Sequence, residues 1–247
     1  MEKISIVVPT YGRFVPFMKL INSIKESDIP IENYEIIVVS SDPVDCEKIN
    51  WIENQKKYID ISVNIEADRK TVRNRSLYYY ENIGIKKAKY DWVLVCNDDM
   101  WFDYNWYNNF MLSKNNSKVY IIASHIGEIR LGVRVPSIGT ITKDGVEEIM
   151  WLYDMTIIHK SIYEKINYLD ENIAWYGKGA DLCLQVAFLT DEKPFICENV
   201  IVNHDIEIEH RQENISTTPN GDDFLYIRFK WDRWIYQNNK NYQYNWV

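Results

Sequence analysis

The chain has 247 residues, 46% hydrophobic and 26% charged, with a formal net charge of −8. That length fits one elaborated domain, and the apolar content excludes a disordered chain. The acidic balance argues against a general nucleic-acid binder, which presents a basic face. An anionic ligand stays open, because a divalent cation bridges carboxylates and phosphates. Cys46, Cys96, Cys183 and Cys197 form no Cys-x-x-Cys pair, so a zinc ribbon is not expected. The last three lie among apolar residues and read as reduced core thiols, which points to a cytoplasmic protein. The chain runs straight into an apolar strand with no signal peptide, and lacks an apolar run of about 18 residues. Any membrane association is therefore expected to be peripheral.

Ile4–Val8 is a β-branched run closed by Pro9-Thr10-Tyr11-Gly12 and reads as a buried strand. Phe17, Leu20, Ile21 and Ile24 recur at helical spacing within 14–25. A second buried strand is expected over Tyr34–Val39, ending at Ser40-Ser41-Asp42-Pro43. A helix over 47–57, a strand over 59–65, a helix over 71–88 broken near Gly84, and a buried strand over 92–96 follow. Strands alternating with helices predict a parallel, doubly wound α/β sheet whose ligands lie beyond the carboxyl ends of its strands. The second half is less regular. It is expected to hold helices over 104–112, 160–166 and 181–190, and strands over 119–123, 151–158 and 196–202. Strands and loops fill 127–145. Pro219-Asn220-Gly221 signals a turn before a helix over 222–236, and the stretch 237–245 is rich in Asn and Tyr.

Four constellations carry chemistry. Asn97-Asp98-Asp99 ends the fourth strand, where carboxylates and an amide oxygen suit Mg²⁺ or Mn²⁺ and, through the ion, a diphosphate. The same residues also suit a plain polar turn. His204 follows another strand and offers a nitrogen ligand or an ordinary surface imidazole; Asp205 and His210 are alternatives, and His125 and His159 are less well placed. Asp181 follows Tyr176-Gly177-Lys178-Gly179 and reads either as a general base or as a helix N-cap. Arg69, Lys70, Arg73 and Arg75 either meet phosphates or form a solvated helix face.

Together these segments resemble glycosyltransferase family 2 and its GT-A fold over roughly residues 4–205. ISIVVPTYGR is similar to the family's first strand and nucleotide turn, and YEIIVVSSDPVD to its second. ENIGIKKAKYDWVLVCNDDM is similar to the stretch that joins an Asn-x-Gly motif to the acidic D-x-D motif, with Asn97 fifteen residues after Asn82. YLDENIAWYGKGADLCLQVAF resembles the Glu-Asp segment, and ICENVIVNHD the closing strand with its His. The resemblance implies a mostly parallel Rossmann-like sheet with a smaller, mixed acceptor-side sheet. The expected division is a nucleotide-sugar half (1–100), an acceptor and catalytic half (101–212) of the same domain, and an aromatic-rich helical tail (213–247) whose residues from Asp222 on lie outside the resemblance. The resemblance implies that Pro9, Thr10, Tyr11, Arg13, Asp42, Asp68, Asn97 and Asp98 bind the nucleotide sugar, and that Asp99 and His204 bind the metal. Three departures stand out. Ser40-Ser41 replaces two Asp, Asn97 replaces the first Asp of D-x-D, and the Glu-Asp pair falls on Lys178-Gly179. Asp181 is the nearest carboxylate and becomes the expected catalytic base.

The implied activity is inverting, divalent-metal-dependent transfer from a nucleoside diphosphate sugar, a UDP-sugar first, to a glycan or glycoconjugate hydroxyl. No nucleic-acid partner and no transmembrane segment are expected. Trp151, Tyr153, Asp154, Trp175 and Tyr176 are expected near the acceptor, where stacking on sugars and core packing remain equal alternatives. A rival is a glycosyltransferase-like domain that binds nucleotide or glycan without transfer. A nucleotidyltransferase fits less well, because PTYGRF is not a glycine-rich basic loop. In the tail, Phe224, Ile227, Trp231 and Trp234 share a helical face, expected to pack on the core, with a homodimer contact second and a peripheral membrane patch as the other alternative.

Overall fold

The computed structural model describes residues 2–10, 14–40, 51, 54, 61–64, 76–115, 121–128, 139–150, 156–173, 177–192, 195–204 and 220–246. β1 (Ile4–Thr10), α1 (Phe14–Glu26), β2 (Tyr34–Ser40), β3 (Ile61–Asn64), α2 (Leu77–Lys87) and β4 (Trp92–Val95) follow the expected alternation. Next come β5 (Met100–Phe102), α3 (Trp106–Asn115), β6 (Ile121–Glu128), β7 (Gly139–Lys143), β8 (Val146–Met150) and β9 (Thr156–His159). α4 (Lys160–Lys165), α5 (Lys178–Leu189), β10 (Phe195–His204), α6 (Asn220–Gln237) and β11 (Tyr242–Trp246) complete the chain.

Eight strands form one sheet in the order β3-β2-β1-β4-β9-β6-β10-β5. β3, β2, β1 and β4 run parallel. β9 is antiparallel to β4 and β6, and β5 is antiparallel to β10. The fold is the expected GT-A type, mostly parallel and Rossmann-like. The smaller sheet, β11-β7-β8, is antiparallel throughout.

Residues in a strand alternate faces, so β1 serves two cores. Ile4, Ile6 and Val8 pack with α1 and α3, while Val7 packs with α2, α4, α5 and α6. Near-continuous apolar strands are what a sheet covered on both faces requires. Cys96 and Cys183 are buried and not disulfide-bonded. Among the described residues, no helix is long and apolar enough to cross a membrane.

Several elements differ from the sequence reading. α2 is not broken at Gly84, which lies against the sheet, where an added Cβ would stand 2.2 Å from Val7 Cγ1. Glycine there allows close helix–strand approach. β5 was not expected, since its three residues are too few for a periodic signal. β11 was not expected, although Tyr242, Tyr244 and Trp246 alternate with polar residues as a strand requires, and it pairs with β7. α6 begins at Asn220, inside the expected turn, and buries Ile227 and Trp231 but leaves Phe224 about half exposed. The tail therefore packs on the core as expected. The helix read over 47–57 lies outside the described residues except at 51 and 54.

Candidate functional site

Strand order locates the crevice. The chain moves outward from β1 to β2 and β3, then returns to the other side of β1 as β4. That reversal is the switch point at which open α/β sheets bind ligands, beyond the carboxyl ends of the strands. β1 ends there in Pro9-Thr10 and β4 in Cys96 to Asp99. The parallel register pairs Val7 with Val95, and the Cys96 N–H continues it by donating to Val7 O at 2.8 Å. Two residues on, Thr10 Oγ1 donates to Asp98 Oδ2 at 2.8 Å. Both side chains are buried, so this bond locks the first-strand turn to the acidic turn.

The acidic turn has a second neighbour. β10 pairs with β5 so that His204 stands opposite Met100, the residue after Asp99. Antiparallel partners lie about 5 Å apart at Cα, so the His204 backbone reaches the edge that carries Asp98 and Asp99. Asn203 Nδ2 donates to Asp103 Oδ1 at 2.8 Å and fixes this pairing from outside. Asp98, Asp99 and the backbone of His204 thus share one strand edge. Among the described residues, no group of three or more His, Cys, Asp or Glu side chains is gathered into a metal cage. Tyr11, Arg13, Asp42 and Asp68 lie outside the described residues, as do Arg69, Lys70, Arg73, Arg75, Trp151, Tyr153, Asp154, Trp175, Tyr176, Asp205 and His210.

The turn at the head of α5 is built differently. Gly177 caps the helix with φ +86° and no side-chain cap bond, and a Cβ on it would stand 2.6 Å from Ile227 Cδ1 of α6. Asp181 is thus the fourth residue of the helix and not its N-cap, and is only 2% exposed. Lys230 Nζ lies 2.9 Å from each of its carboxylate oxygens, and Trp231 Nε1 donates to Oδ1 at 2.6 Å. Burial pushes the Asp181 carboxyl up, against the lowering effect of Lys230 and Trp231. Lys230 also pairs with Asp170 at 2.8 Å. Burial acts upward on Asp170 as well, but Lys230 and Asn172 outweigh it and hold that carboxyl below its ordinary range.

Lys178 stands where the resemblance puts the first acid of the Glu-Asp pair. It is 8% exposed and pairs at 2.8 Å with Glu81, which is fully buried. Both charges act on the thiol of Cys96, which burial pushes up. Asn82, the Asn of Asn-x-Gly, takes no part in the crevice. Its amide donates to Leu169 O and Glu171 Oε1, and its Oδ1 accepts from the Leu169 N–H. It pins the loop before α5 to α2. Sequence reasoning missed Glu81, Lys230 and Trp231 as partners of this turn. The one available signal was a lysine in an acidic position, which calls for a nearby carboxylate.

A profile of glycosyl transferase family 2 matches residues 5–134, just over half of the chain. The chain belongs to glycosyltransferase family 2. It is 26% identical over 99 residues to the poly(ribitol-phosphate) β-N-acetylglucosaminyltransferase TarS of two Staphylococcus aureus strains, Mu50 and MW2. That match covers 40% of this chain and 16% of TarS. Crystal structures of S. aureus TarS 1–349 with UDP and with UDP-GlcNAc both superpose with a TM-score of 0.67 at 14% identity. They match 85% of this chain and 62% and 60% of theirs, respectively. A longer TarS structure matches over 38% of its length with a TM-score of 0.66. The family 2 chain described here thus spans only part of the relatives it matches, and at this identity the superpositions establish the fold.

Proposed function

We propose that this chain is a nucleotide-sugar glycosyltransferase that moves a sugar from a UDP-sugar to a glycan or glycoconjugate hydroxyl, with inversion, in the crevice between β1 and β4. The observation that carries this reading is the Thr10–Asp98 bond at the switch point, in a chain of family 2. The TarS structures with UDP and UDP-GlcNAc support uridine as the base. Pro9, Thr10, Tyr11, Arg13, Asp42, Asp68, Asn97 and Asp98 are the proposed nucleotide-sugar residues. Asp99 and His204 are the proposed holders of Mn²⁺ or Mg²⁺, a role supported by their shared edge and by the hard carboxylate oxygens of Asp99. A bound divalent ion supplies charge neutralisation to the leaving diphosphate. Reduced Cys96 and Cys183 support a cytoplasmic setting.

Asp181 is the proposed proton acceptor for the attacking hydroxyl. Its carboxylate is held by Lys230 and Trp231, so this role requires Lys230 to yield one oxygen when the acceptor arrives. A second reading, binding without transfer, has a specific observation in its favour. Lys178 and Asp181, the two charged side chains of residues 177–181, are both committed to buried ion pairs.

A thermal-shift screen of nucleoside diphosphate sugars with and without Mn²⁺ tests the proposal, because a ligand that binds the folded state raises its apparent stability. A Mn²⁺-dependent upward shift with a UDP-sugar, followed by acceptor-dependent UDP release, is expected. No shift with any nucleoside diphosphate sugar overturns the proposal. Binding without UDP release for every acceptor tried leaves the second reading in its place.

A further inference from the structure

A groove of about 880 Å³ lies between α2, the loop before α5, α5 itself and α6. It is displaced from the β1–β4 turns and adjoins the proposed base through Lys230 and Trp231, which line the groove and bond Asp181. Lys86 is nine residues beyond the start of α2 and Gln185 seven beyond the start of α5, or about 10–14 Å along the helices at 1.5 Å per residue.

Two features mark it as a built site. First, Gln185 is 5% exposed and lines the groove. Its Nε2 donates to Tyr168 O at 3.1 Å, which fixes the amide and leaves Oε1 as the acceptor, and that buried oxygen has no hydrogen-bond partner among the described residues. Buried acceptors are rarely left unmatched, and this one belongs to a residue of the groove's lining. Second, the lining mixes rings with polar groups. Phe229 is 67% exposed, Trp234 stacks one face on Phe188 at 5.5 Å and 5°, and Tyr226 donates to Asp170 at 3.0 Å.

Charge narrows the ligand. Lys86, Lys230 and Arg233 face Asp170 and Glu171 across the lining, and Lys230 is already shared by Asp170 and Asp181. The groove therefore has no strong field for a polyanion. Aromatic faces beside in-plane acceptors and donors match a sugar, whose C–H faces are apolar and whose rim is hydroxylated. We propose that this groove is an accessory subsite for a neutral oligosaccharide, holding a distal part of the acceptor glycan while its end is in the crevice. The proposal rests on the glycosyltransferase reading above.

The test is titration of the full chain with cellotetraose, chitotetraose and maltotetraose, followed by tryptophan fluorescence and saturation-transfer NMR. At least one should bind. Gln185→Leu, which removes the acceptor, and Phe229→Ala, at an exposed ring, should each weaken that binding by about tenfold, with the UDP-sugar thermal shift unchanged. Absence of binding by all three tetrasaccharides while the UDP-sugar shift persists overturns the subsite. Unchanged binding in Phe229→Ala and Gln185→Leu does the same. Preference for inorganic phosphate over the neutral probes overturns the ligand class. A dimer that buries Phe229, seen by light scattering and broken by Phe229→Ala, replaces the glycan with a second copy. Loss of every UDP-sugar shift in the wild type instead sinks the underlying reading.

Discussion

The turn after β4 and the turn at the head of α5 hold their carboxylates with different partners. In the first, Asp98 accepts from a neutral hydroxyl, that of Thr10. In the second, Lys178 pairs with Glu81, and Asp181 is held by Lys230 and Trp231. Similar residue types therefore serve different ends. A carboxylate held by a neutral hydroxyl at a strand end keeps its charge for a ligand cation, whereas one beneath a packed helix requires a protein cation. The first turn should respond to mutation mainly in ligand handling, and the second in stability, with turnover added at Asp181 as the proposed base.

Trp231→Ala should give the largest loss of stability. It removes a ring that is 1% exposed, its edge contact with Phe188 at 5.4 Å and a donor to Asp181, for a cost of about 3–5 kcal/mol. Thermal unfolding should shift down by on the order of 10 °C. A shift of a degree or two would mean that α6 is dispensable to the α5 turn. Lys178→Met comes next, since it leaves Glu81 buried without that ammonium and should cost about 3 kcal/mol. The double variant Lys178→Met/Glu81→Gln should recover most of the loss in a denaturant series. Failure to recover would show that the pair is not coupled.

Acid should loosen the α6 clamp through Asp170. Its folded pKa lies below its unfolded value, so its contribution is present above the ordinary carboxylate pKa of about 3.9 and disappears as pH falls through the folded value. Asp181 is shifted upward and has the opposite sign, so it does not produce this loss. Between pH 6 and pH 3 the urea midpoint of Asp170→Asn should fall less than that of the wild type, and an equal fall would contradict the ion-pair assignment. Thr10→Val should show the smallest effect on stability, about 1 kcal/mol, with a larger loss of UDP-sugar affinity by calorimetry. If stability drops and affinity holds, the Thr10–Asp98 bond is structural only.

The sheet was legible because each strand carries its own signal. Ile4–Val8 and Trp92–Cys96 are apolar enough to announce a strand buried on both faces, and the intervening helical periods imply parallel connections. The acidic turn was legible because it interrupts such a strand. The α5 turn was not, since Asp181 is defined by Lys230 and Trp231, about fifty residues away, and no local pattern encodes that meeting. β11 was different: Tyr242, Tyr244 and Trp246 alternate with polar residues, a strand signal that the Asn-rich composition around it concealed. Asn82 and Gly84 were visible as a motif, but their work, pinning Leu169 and admitting Val7, is evident only once the helix lies on the sheet.

The most direct measurement is turnover of a UDP-sugar by Asp99→Ala, followed as UDP release with Mn²⁺ present and compared with the wild type at matched folded fraction. An unchanged melting temperature with turnover reduced by about a hundredfold or more is the predicted result. An Asp99→Ala protein that releases UDP at the wild-type rate contradicts the assignment of the acidic turn as the centre of transfer.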